Sequence, residues 1–143
     1  MKQRWIICED GSEYFERFAR FLDGEFEFVA APDAASLLAA LGTAASGVIL
    51  DLDFRRTPPE SLIDEQGASP PPPGEATRRR LAETQGLLIL RLLRAAGDAT
   101  PVLLFADLDD AERATYLERS FAPVEIVPSN EGLLQTAERM RRR

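Results

Sequence analysis

Gly47-Val48-Ile49-Leu50-Asp51-Leu52-Asp53 decides how this chain is read. Its apolar residues run on without alternation, the mark of a strand buried on both faces, as in a parallel sheet. The run closes in carboxylate. An earlier run, Trp5-Ile6-Ile7-Cys8, closes the same way at Glu9-Asp10. If both strands are parallel, their carboxyl ends share one sheet edge, where open α/β folds bind ligands in the crevice between neighbouring strands. Glu9, Asp10 and Asp51 are therefore expected in one pocket. The competing reading makes them acids that cap the following helices or meet solvent.

Working outward, apolar runs recur at Trp5 to Cys8, Phe26 to Ala30, Val48 to Leu52, Val102 to Ala106 and Val124 to Val127. Helix-period segments lie between them. Ser12 to Leu22 is expected to put Phe15, Phe18, Phe21 and Leu22 on one face, and Asp33 to Leu41 ends at Gly42 in the C′ position. A third helix carries Leu87, Leu88, Leu90, Leu92 and Leu93 and stops near Gly97; a fourth starts around Asp109, with Glu112 completing the cap. The last runs from Ser129 with Leu133, Leu134, Ala137 and Met140 on one face. Strands alternating with helices give a (βα)₅ chain, an α/β three-layer sandwich whose parallel sheet is covered on both faces by right-handed crossovers.

One stretch breaks the rhythm. Residues 55–80 begin Pro-rich and polar, pass through Pro70-Pro71-Pro72-Pro73-Gly74, and continue into Glu75 to Gln85, whose good helix formers are expected to extend the third helix backward. A loop of this length within a compact domain is usually functional or disordered.

At 143 residues and 45% hydrophobic, the chain is expected to form a single domain over 1–143. A net charge of −7 and a pI near 4.7 argue against nucleic acid or anionic membrane as partner, since the whole-molecule field repels polyanions. The lone Cys8 sits in a strand-like run and reads as a small buried core residue. No apolar stretch reaches the roughly 18 residues of a membrane span, and no signal-peptide core opens the chain, so a cytoplasmic location is expected.

The ordered set Glu9-Asp10, Asp51, Gly86-Leu87-Leu88-Ile89-Leu90-Arg91-Leu92-Leu93-Arg94, Pro101-Val102-Leu103-Leu104-Phe105 and Asp109-Asp110-Ala111-Glu112-Arg113 resembles the receiver domain of two-component response regulators. That resemblance implies a flavodoxin-like fold with sheet order 2-1-3-4-5 and an insertion after strand 3. It further implies that Asp51 is the phosphoacceptor, taking a phosphoryl group from a histidine kinase as an acyl phosphate. Glu9, Asp10 and Asp51, with the backbone carbonyl of Asp53, would hold Mg²⁺, a hard cation suited to carboxylate oxygen. Three clustered carboxylates also repel one another and favour a bound ion.

The departures from the family pattern are as informative. Receivers end the fourth strand in Ser or Thr and the fifth in Lys before Pro; here Ala106 and Val127, or in another register Pro128, stand at those places. The hydroxyl and the cation that engage the phosphoryl group are replaced. Gly86 lies 35 residues after Asp51, far beyond the family's short connection. Arg55, Arg56 or one of Arg78 to Arg80 could supply the counter-charge from that insertion.

The expected function is a divergent, stand-alone receiver-like signalling domain that binds a protein partner, with phosphorylation impaired or atypical. A histidine kinase, a downstream effector or a second copy would be the partner, and no enzymatic activity beyond accepting a phosphoryl group is expected. The first alternative is a competent Mg²⁺-dependent receiver phosphorylated on Asp51. The second is a small flavodoxin-like metal-dependent binding or hydrolytic protein, which lacks the support of a Gly-rich phosphate loop, a histidine or a nucleophile elbow.

Overall fold

Successive strand residues point to opposite faces of a pleated sheet, and here both faces are apolar. The computed structural model describes residues 2–71 and 74–143. Its strands are β1 (Gln3–Cys8), β2 (Phe26–Ala31), β3 (Gly47–Asp51), β4 (Val102–Phe105) and β5 (Val124–Val127). They form one five-stranded, all-parallel sheet in the order β2-β1-β3-β4-β5. The helices are α1 (Glu13–Leu22), α2 (Ala34–Ala40), α3 (Glu75–Glu83), α4 (Gln85–Ala95), α5 (Ala111–Ser120) and α6 (Leu133–Arg141), with a 3₁₀ turn at Pro59–Ser61.

The strand alternation divides the core in two. Trp5, Ile7, Ile49, Leu103, Phe105 and Val127 pack against Phe18 and Leu22 of α1 and Ala137 and Met140 of α6. Ile6, Cys8, Val48, Leu50, Val102 and Leu104 face the other way, against α2, α4 and α5. This is the flavodoxin-like three-layer sandwich, with helices on both faces as parallel connections require. Among the described residues no helix is long and apolar enough to cross a membrane.

Several local expectations change. In α1, Phe18 is buried and Phe15 half-buried, but Phe21 is 61% exposed, its ring beneath the Arg20 guanidinium. A three-residue step falls short of a full helical turn, so Phe21 drifts off the buried stripe and Leu22 takes the place. Gly42 follows α2 without a left-handed φ; Leu41 closes the helix in right-handed geometry. The N-cap of α5 is Asp110 rather than Asp109, because Asp110 has the extended backbone of a cap and accepts from the Glu112 N–H at 2.9 Å. A turn closed by the Glu131 N–H on the Pro128 carbonyl delays α6 until Leu133.

The insertion departs most. Glu75–Glu83 is a helix of its own, set off from α4 by Thr84, whose φ of −119° and ψ of 14° interrupt the helical path. The segment before it is partly core: Phe54 and Leu62 are fully buried and Ile63 nearly so. The Gln85 side chain, also buried, accepts from the Ile63 N–H at 2.9 Å and donates to the Ile63 carbonyl at 3.1 Å, stitching the loop to the head of α4. Of the Pro70–Pro73 run read as polyproline, Pro72 and Pro73 lie outside the described residues.

Gly86 explains the seating of α4. Its N–H donates to the Leu52 carbonyl at 2.9 Å, and a Cβ at this position would collide with the Asp51 carbonyl oxygen and come within 2.8 Å of the Leu52 Cα. Glycine is otherwise a poor helix residue, about 1 kcal/mol worse than alanine. Gly86→Ala is therefore expected to destabilise the fold, by about 1–3 kcal/mol through overpacking against backbone that cannot yield. Urea unfolding monitored by circular dichroism checks the sign: helix propensity alone would make the variant more stable.

Candidate functional site at the carboxyl edge of the sheet

In this strand order β1 lies between β2 and β3, so the crevice between β1 and β3 opens where connections leave in opposite directions. Cys8 pairs with Leu50, which carries Glu9 and Asp51 to the next level of the same edge. Asp10, Asp51, Asp53, Arg55 and Arg56 line a cleft there of about 330 Å³. A larger groove, about 560 Å³, lies on the insertion between Pro59, Pro70 and Arg78 and contains none of the carboxylates predicted for the site.

The acids play different parts. Glu9, only 3% exposed, turns both oxygens to the first turn of α1, accepting from the Tyr14 N–H at 3.2 Å and the Phe15 N–H at 2.9 Å. It thereby satisfies donors that a helix start leaves without partners. Asp10 is engaged by one residue from the insertion: the Arg56 N–H donates to Oδ2 at 2.8 Å and Arg56 Nη2 to Oδ1 at 3.0 Å. The same guanidinium reaches Glu13 Oε2 at 2.9 Å. Asp51, at the tip of β3, accepts from the Leu52 N–H at 2.9 Å through Oδ1. The Asp53 side chain accepts from the Arg55 N–H at 2.9 Å and pairs with Arg55 Nε at 2.7 Å.

Among the described residues, the candidate counter-charges that form ion pairs do not form them at the end of β5. Arg55 and Arg56 belong to the β1 and β3 side of the edge, while Arg79 pairs with Glu75 and Arg80 with Glu65. At the β4 end, Ala106 is 5% exposed and packs into the core against α4 and α5. β5 ends at Val127, paired with Phe105 and fully buried, and Pro128 lies outside on the exposed turn. Asp107 faces Ser129, accepting from its N–H at 3.0 Å and from its hydroxyl, so the loops after β4 and β5 are tied together.

The Mg²⁺ set expected from the sequence does not fit this arrangement. Glu9 is committed to the start of α1, Asp10 to Arg56, and one oxygen of Asp51 to its own strand end. Among the described residues no three acidic, histidine or cysteine side chains are grouped to hold a metal ion.

Tyr14 and Gln85 were not picked out in the sequence, nor was the pairing of Asp107 with Ser129. Tyr14 is half-buried with its ring 5.0 Å from Phe105; burial, with the Asp51 carboxylate next, pushes its phenol up to about 12. Its i+4 spacing to Phe18 was the available signal. Gln85 and the Asp107–Ser129 pair join residues distant in the chain and leave no local pattern.

Burial raises the Glu9 carboxyl, opposed by the two N–H groups of α1. Asp51 is pushed up to about 6, chiefly by burial and then by Asp10, Glu9 and Asp53, against the lowering effect of the Leu52 N–H. A carboxyl whose folded value lies above its unfolded value of 3.8 binds a proton in the native state first. Stability from this group is therefore full at low pH and declines as pH rises from about 4 to 6. Asp51→Asn keeps the shape without the charge and is expected to gain on the order of 1–2 kcal/mol at pH 7, after allowance for solvent screening, and nothing below pH 4. Urea unfolding of both proteins at pH 7 and pH 3.5 measures the difference.

No protein-family model and no curated protein matches the chain. Solved structures do. The receiver domain of the Francisella response regulator 1452 superposes with a TM-score of 0.68 at 13% identity, covering 98% of this chain and 94% of that one. The receiver domain of NtrX from Brucella abortus gives 0.63 at 22% identity, covering 95% and 96%. Vibrio cholerae chemotaxis protein CheY4 gives 0.63 at 14%, covering 98% and 99%. Against a longer NtrX chain, this chain spans 27% of the length. At such identities the likeness is one of architecture, and the architecture is that of the CheY-like receiver domain.

Proposed function

We propose that this chain is a divergent receiver domain that signals by binding a protein partner, with phosphorylation of Asp51 impaired or atypical. The reading rests above all on Ala106 and Val127, buried apolar residues at the strand ends where receivers carry the hydroxyl and the ammonium that engage a phosphoryl group. An acyl phosphate on Asp51 would add negative charge to an edge already bearing Glu9, Asp10 and Asp53, and charge-assisted hydrogen bonds from β4 and β5 would be missing. The Asp107–Ser129 pair already joins the loops that a phosphoryl group would have to draw in.

The partner on this reading is a histidine kinase, a downstream effector or a second copy, met in the cytoplasm. The chain carries out no turnover; at most Asp51 accepts a phosphoryl group. The second reading, a competent Mg²⁺-dependent phosphoacceptor, draws support from the cleft in which Asp51 stands. A metal-dependent hydrolase finds no support in the donor arrangement among the described residues.

Thermal unfolding with and without Mg²⁺ plus beryllium fluoride, on the native chain and on Asp51→Asn, separates these readings, because a ligand of the folded state raises the melting temperature. Neither protein is expected to shift. A rise in the native protein that disappears in Asp51→Asn would overturn the proposal in favour of a working phosphoacceptor.

A further inference from the structure

A guanidinium and a divalent cation can compensate the same carboxylates, and in this cleft the guanidinium is part of the chain. Asp10, whose side chain is 5% exposed, gives both oxygens to Arg56, a residue 46 positions away. The contact is made by backbone as well as side chain, so it fixes the turn that carries Arg56 and not merely a long flexible arm. That turn is itself anchored. Phe54 is fully buried and its N–H donates to the Ala82 carbonyl at 2.8 Å, while the Thr57 N–H closes back on the Phe54 carbonyl at 3.0 Å.

The opposite wall of the cleft is shaped to match. Gly11 follows Asp10, and a Cβ there would run into Arg56 Nη2 and the Glu13 carboxylate. A bare backbone at this position gives the guanidinium its seat. Glu13, then Asp10, hold Arg56 firmly protonated, and the same contact lowers the Glu13 carboxyl.

From the double contact to Asp10 and the space left by Gly11, we infer that the Arg56 guanidinium takes the place of a divalent cation in this cleft, compensating its charge from within the chain. Mg²⁺ asks for octahedral oxygen ligands and sheds water reluctantly, so it competes poorly with a donor pair already seated on a largely buried carboxylate. The inference concerns the cation site alone and makes no use of the residues that replace the receiver hydroxyl and ammonium.

Mn²⁺, read by water-proton relaxation without any phosphoryl mimic, is the probe. It is titrated into the native chain, Arg56→Ala, Gly11→Ala and the double variant Arg56→Ala/Asp10→Asn. The Arg56 side chain is 61% exposed, so its removal leaves no core cavity. The groups that a Gly11→Ala methyl would meet are the ends of flexible side chains. Arg56→Ala is expected to bind Mn²⁺ at least about tenfold more tightly than the native chain, with Gly11→Ala moving in the same direction and the double variant returning to the native level. Native binding as tight as that of Arg56→Ala, or a gain that persists in the double variant, would overturn the inference. Mn²⁺ binding is read directly and without a phosphoryl mimic, so a native chain that binds the metal yet shows no beryllium fluoride shift overturns this inference and leaves the proposed function standing.

Discussion

The close approach of Gly86 to the backbone of Asp51 and Leu52 is the constraint on which the rest of this structure depends. It brings the head of α4 down onto the end of β3 with only backbone between them. Leu52 then donates to the Phe105 carbonyl and accepts from Gly86, so the residue after Asp51 is fixed from both sides. Asp51 inherits its position from that geometry. It points from a strand end that cannot move without moving the helix, which is how a carboxylate comes to be held partly buried beside other acids at a high proton affinity.

The carboxyl edge is compensated piece by piece by the chain's own groups. Glu9 is satisfied by the first amides of α1, Asp10 by Arg56, Asp53 by Arg55 and Asp107 by Ser129. Among the described residues Asp51 has only the Leu52 N–H as hydrogen-bond donor to its carboxylate, and burial dominates its titration. The Asp51 carboxylate forms no ion pair among the described residues, so its charge is left against those of its acidic neighbours.

Much of this was legible beforehand, and the reasons are specific. Continuous apolar runs ending in acid placed β1, β3 and their shared edge correctly, because burial on both faces of a parallel sheet imposes that pattern directly on sequence. The sheet order came from the resemblance, carried by the order of Asp51, Gly86 and the Leu-rich helix. Where reading failed, the deciding contacts were between segments distant in the chain. Gln85 looked like an ordinary helix residue because its partner, Ile63, lies 22 positions earlier in a segment with no periodicity. Arg56 was named as a counter-charge for this edge, but Asp10 as its partner was not, since surface arginines carry no local sign of which carboxylate they will meet. Phe21 was misplaced for a simpler reason: apolar identity was taken as burial where helical phase put the ring outside.

The amide of Gln85 grips both backbone groups of Ile63 from inside the core, with the Leu81 carbonyl of α3 taking the remaining proton. The segment between β3 and α3 is thus built into the domain as a structural member, and trimming it to the length common among receivers would strand a polar side chain in an apolar interior and open the space that Leu62 fills. A shortened chain would have to change residue 85 in the same step. The long connection and the glutamine that receives it therefore depend on each other structurally.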